Sequence, residues 1–133
     1  ELWVKKLDHG VFTRLASGGT ENYRPAWSPD GVSLLFSSDR GGIREQLFKV
    51  PADGSGPPRL LIPLKGSIDE GLWSHDGQWL LYRTGSGSRR DIFAMRFGVD
   101  SSPAVPLAAT NSTRRSGSAR PVARVRSTTP IDR

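Results

Sequence analysis

The chain of 133 residues is 35% hydrophobic and contains 15 glycines and 10 prolines, a composition typical of a turn-rich all-β protein. It has no cysteine, which excludes disulfides and thiolate metal sites, and no run of about 18 apolar residues that could form a transmembrane helix. The formal net charge of +6 suggests a nucleic-acid partner at first sight, but the charge is unevenly distributed along the chain.

The chain starts with a pattern of two strands. Residues 2–7 predict the first strand, Asp8-His9-Gly10 a turn, and residues 11–15 the second strand. A glycine-rich loop over residues 16–22 follows. Because the strand pattern begins at once, with no methionine and no signal peptide before it, we interpret the chain as a fragment of a longer protein.

A group of four strands is predicted next, in residues 22–63. The Gly- and Pro-rich residues 52–58 form a loop before the last of these strands. The strands themselves are a short one that ends near Trp27 and three more over residues 32–37, 46–50 and 59–63.

A second group of four strands is predicted in residues 68–108. Residues 84–90, which are Thr, Gly, Ser and Arg, predict a polar, mobile loop in the middle of this group. The strands are Leu72-Trp73 and residues 79–83, 91–97 and 104–108.

The two groups share a five-residue motif. Trp27-Ser28-Pro29-Asp30-Gly31 recurs 46 residues later as Trp73-Ser74-His75-Asp76-Gly77. A fixed period of about 40 to 50 residues in a strand-rich chain is the signature of a β-propeller. Apolar runs with a similar period support this interpretation, and they are Leu2-Trp3-Val4, Leu47-Phe48-Lys49-Val50 and Ile92-Phe93-Ala94-Met95.

Each residue type in the motif has a local reason. Asp followed by Gly makes a tight turn, because Asp bonds to its own backbone and Gly adopts positive φ. Pro29 fixes φ at the entry to the turn, and His75 in the second copy loosens the turn without preventing it. We expect the four tryptophans to belong to the core. We therefore predict that the motif is a structural repeat turn, with its key residues Trp27, Pro29, Asp30, Gly31, Trp73, Asp76 and Gly77.

The strands after each motif are apolar at consecutive positions, as in Leu34-Leu35-Phe36 and Leu80-Leu81-Tyr82. Successive side chains on a strand point to opposite faces, so both faces of these strands must be covered. Blades stacked around a ring cover both faces. The predicted fold of residues 1–110 is therefore all-β: an open, partial β-propeller of about two and a half four-stranded blades. The half blade covers residues 1–18, and the full blades cover residues 22–63 and 68–108.

The repeat ends after residue 110. Residues 111–133 hold six arginines and one aspartate, whereas residues 1–110 hold 13 basic and 12 acidic side chains. Arg, Ser, Thr and Pro dominate this tail, which predicts disorder, and its lack of aromatic residues argues against a nucleic-acid partner. Two hypotheses stay open: a native basic tail, or a shifted reading frame, since suitable codons for residues 111–118 would encode Leu-Asp-Glu-Ala-Val-Trp-Leu in another frame.

No constellation of catalytic residues occurs in the sequence. His9 and His75 are the only histidines, and both fall in predicted turns, where we interpret them as solvated residues. Neither the Gly-x-Ser-x-Gly elbow of hydrolases nor a phosphate-binding loop is present. We therefore predict that this chain carries no catalytic, cofactor-binding or metal-binding residue, requires no cofactor and is not an enzyme.

The Trp-Ser-Pro-Asp-Gly turn followed by an apolar strand resembles the repeat of the TolB-type, WD-repeat-like β-propeller family, and the resemblance covers residues 1–110. Residues 49–56 followed by Pro58-Arg59-Leu60-Leu61, and residues 79–85 leading into Asp91-Ile92-Phe93, are similar to the propellers appended to bacterial membrane-anchored serine/threonine protein kinases. This resemblance implies a non-catalytic protein-interaction or sensing module in the bacterial cell envelope. Its partner would be another protein or the remaining blades of the parent. Two alternatives remain, the gating propeller of a prolyl oligopeptidase-like serine peptidase and a TolB-like cell-envelope scaffold.

Overall fold

The computed structural model describes residues 1–19, 21–42, 44–63, 66–86, 88–98 and 103–109, and all regular structure within them is β. The prediction for the tail falls on residues 111–133, which lie outside these ranges. No helix with the length and apolarity needed to cross a membrane occurs in the described ranges. The strands are β1 (Leu2–Lys5), β2 (Phe12–Ala16), β3 (Asn22–Trp27), β4 (Ser33–Ser38), β5 (Gln46–Pro51), β6 (Arg59–Leu60), β7 (Ile68–Trp73), β8 (Trp79–Ser86), β9 (Arg89–Arg96) and β10 (Val105–Ala108).

The strands form three antiparallel sheets in chain order. We name blade A the hairpin β1–β2, blade B the sheet β3-β4-β5-β6, and blade C the sheet β7-β8-β9-β10. Each strand pairs with its neighbour in sequence, which is the meander of a propeller blade. The prediction of an all-β, open, partial β-propeller is therefore confirmed.

The hydrophobic core lies between the blades and not within one of them. Leu34 and Phe36 of β4 pack with blade A, whereas Leu35 between them packs with blade C. All three side chains are at most 4% exposed. The consecutive apolar residues of this strand thus serve two different interfaces, as expected for a strand that is covered on both faces.

Strand β7 is the element of blade C that approaches blade B most closely, and it contacts β3, β4 and β5. Gly71 allows this approach. A Cβ at this position would lie 2.6 Å from Leu47 Cδ1 and 3.0 Å from Leu35 Cδ2. Because both leucines are fully buried, neither methyl group has free space to move into.

The predicted loop over residues 84–90 is wrong. Strand β8 continues to Ser86 and β9 starts at Arg89, and the two strands pair along their whole length as a hairpin. Gly85 has φ +94°, and a Cβ there would lie 2.1 Å from the carbonyl oxygen of Arg89. The close approach of the two backbones therefore requires glycine, which the sequence interpretation had assigned to a loop.

The expectation that the tryptophans are core residues is also wrong for most of them. Trp27 is 52% exposed, Trp3 is 49% exposed and Trp79 is 38% exposed. Trp73 is partly buried, with the edge of its ring against Phe97 at 4.6 Å between centroids. The difference between Trp27 and Trp73 follows from their neighbours. Trp73 packs into the core between blades B and C, whereas Trp27 faces blade A, a hairpin of two strands.

Candidate functional site

The first repeat turn is closed by hydrogen bonds from its own side chains. Oδ1 of Asp30 accepts from the Ser28 hydroxyl at 2.5 Å and from the backbone N–H of Val32 at 3.1 Å. The Ser28 oxygen in turn accepts from the N–H of Ser33 at 3.0 Å. Gly31, with φ +71°, donates its N–H to the carbonyl of Ser28. These bonds fix the path from β3 into β4.

The second repeat turn repeats these bonds. Oδ1 of Asp76 accepts from the Ser74 hydroxyl at 2.5 Å and from the N–H of Gln78 at 3.0 Å. Gly77 has φ +69° and donates to the carbonyl of Ser74. His75 occupies the position of Pro29 without any change in this pattern, so the expected loosening is not visible in the hydrogen bonds.

Both aspartates have a pKa below the ordinary carboxyl value. The serine hydroxyl two residues earlier is the main cause, and the backbone N–H two residues later adds to it, because both donors stabilise the ionised form. Both carboxylates accept hydrogen bonds from donors of their own turn. The repeat-turn residues therefore position strands, and the candidate binding surface lies elsewhere.

A cluster of charged side chains lies at the opposite end of the blades. We call it the inner-rim cluster and define it as Arg24, Asp69, Glu70 and Arg83. Arg24 Nη1 lies 3.1 Å from Glu70 Oε2 and thereby joins the innermost strands of blades B and C. Arg83 Nη2 lies 3.4 Å from Glu70 Oε2 and 3.9 Å from Asp69 Oδ2. The cluster thus involves the first strands of blades B and C, β3 and β7, and the second strand of blade C, β8.

Arg24 is the one described residue other than glycine with a positive φ, at 52°. It lies where the register between β3 and β4 shifts, next to Pro25, so it forms part of a β-bulge. A non-glycine residue in this backbone region costs free energy and often marks a functional position. Here the bulge directs the guanidinium of Arg24 to Glu70 of the next blade.

Arg83 has two side-chain donor atoms that form no hydrogen bond within the described residues. Its Nε and Nη2 are buried, and neither donates a hydrogen bond within the described residues. The contacts of Nη2 to Glu70 and Asp69 are ion pairs at 3.4 and 3.9 Å, outside hydrogen-bond geometry. The side chain as a whole is 22% exposed, so its exposed part lies outside these two atoms.

The chemistry of the cluster favours recognition over catalysis. Tyr23, beside Arg24, has a raised pKa because it is partly buried and because Glu45, Asp69 and Glu21 disfavour the phenolate. A phenol in that state donates a hydrogen bond and is not a nucleophile at neutral pH. No group of three or more metal-binding side chains occurs in the parts of the chain that the structure describes.

The predicted turn residue His9 lies on the surface, where its Nε2 is 2.9 Å from Oδ2 of Asp8.

The sequence analysis did not identify the inner-rim cluster. One signal was available, because Arg24 and Glu70 are 46 residues apart, which is the repeat period, and they carry opposite charges. Residues one period apart occupy equivalent positions on neighbouring blades, so an ion pair between them could have been predicted.

Comparison with curated proteins gives several relatives, of which this chain spans only a small part. It is 32% identical over 91 residues, 68% of this chain, to "Uncharacterized peptidase YuxL" of Bacillus subtilis, and covers 14% of that protein. It is 38% identical over 60 residues to "Uncharacterized protein Atu1656" of Agrobacterium fabrum, which is 45% of this chain and 20% of that protein. It is 32% identical over 110 residues to "Tricorn protease homolog 1" of Streptomyces coelicolor, covering 80% of this chain and 10% of that protein. No family model matches the sequence.

Comparison with solved structures gives two TolB proteins among its matches. A putative TolB from Agrobacterium tumefaciens superposes with a TM-score of 0.66 and 24% identity over 79% of this chain and 39% of that chain. TolB from Acinetobacter baumannii superposes with a TM-score of 0.64 and 24% identity over 81% of this chain and 26% of that chain. Sheet order and superposition together show that the chain has the fold of part of a TolB-like β-propeller.

Proposed function

We propose that the chain is a non-catalytic protein-interaction or sensing module of a larger bacterial β-propeller protein. Its contact to the rest of that protein runs through the face of blade C that neither blade A nor blade B covers. We call this surface the open face. In an antiparallel sheet, residues in register share a face, and one such row crosses all four strands of blade C. The row consists of Leu72, Leu81, Ala94 and Val105.

The apolar character of the open face supports a protein partner. Leu72 is 50% exposed, and the flanking Ile92 and Leu107 are 39% and 54% exposed. Scattered apolar residues on a surface need no explanation, but a continuous apolar surface with a charged edge marks an interaction site. The inner-rim cluster supplies that charged edge, since Arg83 and Glu70 line the same shallow pocket as Leu72.

The observation that carries the proposal is the position of Arg83. It lies 46 residues after Ser37, whose hydroxyl donates to the carbonyl of Ile68 on the first strand of the next blade, over 2.6 Å. The Nε and Nη2 atoms of Arg83, which donate no hydrogen bond within the described residues, lie at the equivalent position of blade C. A carbonyl on the first strand of a further blade would accept a hydrogen bond from them once the side chain turns to expose these buried atoms.

The parent protein is proposed from resemblance. The motifs in residues 49–61 and 79–93 favour a membrane-anchored serine/threonine kinase whose propeller lies in the cell envelope. The names of two relatives, a peptidase and a tricorn protease homolog, favour a second candidate, the gating propeller of a serine peptidase. The TolB superpositions keep the envelope scaffold as a further candidate.

The complete gene separates these candidates. A kinase domain and a transmembrane helix upstream support the first, a hydrolase domain downstream supports the second, and a signal peptide with a further N-terminal domain supports the scaffold. The interaction role is tested by isothermal titration of this chain with the adjoining propeller repeats of the parent, expressed separately. We expect Leu72→Lys and Arg83→Ala each to weaken binding about tenfold or more, and the distant Leu7→Lys to have no effect. A gene without further propeller repeats, or binding unaffected by Leu72→Lys, would overturn the proposal.

A further inference from the structure

A second surface feature lies on blade B, away from the inner-rim cluster. It is a pocket of about 510 Å³ near the outer strands β5 and β6. Ser33, Lys49 and Arg59 line it together with the loop of residues 55–57. Val32, Pro51 and Pro57 supply apolar walls. This pocket is large enough for a small organic molecule.

Two cations face each other in this pocket. Lys49 on β5 is in direct register with Arg59 on β6, so their side chains lie side by side on one face of the sheet. Like charges at directly opposite positions of an antiparallel pair destabilise the sheet. Within the described residues neither cation forms an ion pair with a carboxylate. The charge of Lys49 contributes to the lowered pKa of Asp30. The carboxylate of Asp30, however, accepts its hydrogen bonds from Ser28 and Val32 in the repeat turn.

The repeat shows that the fold does not require this pair. The row of blade B that contains the cations is Ala26, Leu35, Lys49 and Arg59. Its counterpart in blade C ends in Ala94 and Val105 instead. Two apolar residues thus occupy the equivalent positions, so the strand pairing itself does not require the two charges.

The surroundings strengthen the attraction of the two cations for an anion. Lys49 Nζ lies 5.9 Å from the centre of the Trp73 ring of blade C, so one side of the ammonium is shielded from water. Ser33 is 5% exposed. Arg59 itself is exposed, so only the Lys49 side of the pocket is shielded, and there water screens an ion pair less. The planar guanidinium of Arg59 has two parallel N–H donors, which match two oxygens of one oxyanion.

The geometry points to a binding site for a small organic oxyanion, a phosphate or carboxylate that carries an apolar group. The oxyanion bridges Lys49 and Arg59 and relieves their repulsion. The apolar group packs against Val32, Pro51 and Pro57. This site is independent of the proposed contact to further blades, since it lies on blade B and involves none of the inner-rim or open-face residues.

Isothermal titration of the full chain with phenyl phosphate, benzoate and inorganic phosphate tests the site. We expect binding of phenyl phosphate or benzoate, or both, and the stronger of the two identifies the oxyanion. Inorganic phosphate should bind at least about tenfold more weakly than phenyl phosphate, because it lacks the apolar group. No binding of either aromatic anion, or equal binding of phenyl phosphate and inorganic phosphate, would overturn the proposal.

Variants distinguish this site from general attraction to a cationic protein. Lys49→Met keeps the side-chain stem over Trp73 and removes the charge. Arg59→Met removes the charge on β6 and keeps an unbranched apolar side chain there. Each should weaken binding about tenfold or more. The matched control is Lys5→Met on blade A, which removes one charge elsewhere and should leave the affinity unchanged.

The same variants carry a second readout that does not depend on a ligand. Without ligand, Arg59→Met should melt at the same temperature as the parent chain or higher, because it removes the repulsive neighbour of Lys49, whereas Lys49→Met also loses the contact of its ammonium with the Trp73 ring. A lower melting temperature for Arg59→Met would mean that the pair stabilises the sheet, and this would overturn the proposal even if binding were lost.

Discussion

The hydroxyl of Ser37 donates a hydrogen bond to the carbonyl oxygen of Ile68 over 2.6 Å, and both residues are fully buried. The N–H of Ile68 donates to the carbonyl of Glu45 on blade B at 2.9 Å. Both backbone polar atoms of Ile68 are therefore satisfied by the neighbouring blade. The interface between blades B and C thus contains specific hydrogen bonds at Ile68. Beside them, Leu35 and Leu47 of blade B pack against Leu80 of blade C.

Replacement of Ser37 by Ala should destabilise this interface. The substitution removes the donor and leaves the carbonyl of Ile68 buried without its partner, which costs about 1–3 kcal/mol of unfolding free energy. Urea unfolding followed by tryptophan fluorescence measures the change. The exposed Ser17→Ala should be neutral, and equal stability of Ser37→Ala and the parent chain would show that the bond contributes nothing.

Gly71 sets the distance between the same two blades, and its replacement by Ala should be costly. The added methyl group would lie within 3.0 Å of Leu47 and Leu35, both of them fully buried. Overpacking of this kind costs about 1–3 kcal/mol. The double variant Gly71→Ala/Leu47→Ala should be destabilised by less than the sum of the two single changes, since Leu47→Ala removes the clashing methyl groups. A double variant that is less stable than the sum of the two single changes would contradict this account.

The blades could be predicted from the sequence because the patterns that indicate them are local. The Trp-led turns and the consecutive apolar residues of Leu34-Leu35-Phe36 depend on neighbours in the chain, and both have direct counterparts in the structure. The exposure of Trp27 depends instead on how many strands the adjacent blade contributes. The same limit applies to residues 84–90, where glycine serves a close approach between two backbones and was interpreted as a loop.

The candidate site could be predicted from the sequence only in part: the repeat period relates Arg24 to Glu70, but the geometry that brings their charges together is not local. Arg24 pairs with Glu70 only because a bulge turns its side chain toward the next blade, and a bulge has no clear sequence signal beyond Pro25. The register that places Lys49 beside Arg59 likewise depends on the length of the loop between their strands. Contacts across strands and blades thus require the fold, whereas turns do not.

The two repeat-turn aspartates should make stability depend on pH in the acid range. The pKa of Asp30 and of Asp76 is lowered in the folded state, by the hydroxyls of Ser28 and Ser74 first and by backbone N–H groups second. Each aspartate therefore contributes stability that is present above the carboxyl pKa of the unfolded chain, about 3.9, and is lost as the pH falls through the folded value. Stability should decline with acidification below about pH 4.

Unfolding free energies at about pH 6 and pH 3 check this dependence. In the double variant Asp30→Asn/Asp76→Asn the decline should be smaller, because the amides keep an acceptor oxygen but do not titrate. Glu21→Gln, an exposed change outside both turns, should leave the pH dependence as it is. An equally steep decline in the double variant would show that other carboxylates are responsible.

The open face of blade C should cause the chain to self-associate when it is studied alone. Its row of apolar residues is in part exposed, with Leu72 at 50%, and association of two such faces would remove that surface from water. Leu72→Lys places a charge in the centre of the row and should raise the dissociation constant about tenfold or more, equivalent to about 1.4 kcal/mol. Sedimentation equilibrium over a range of protein concentrations measures the constant. Leu7→Lys is the matched control, since Leu7 is 91% exposed in a turn of blade A and should not contribute. A chain that stays monomeric at all concentrations and melts cooperatively would show that the open face is stable in water.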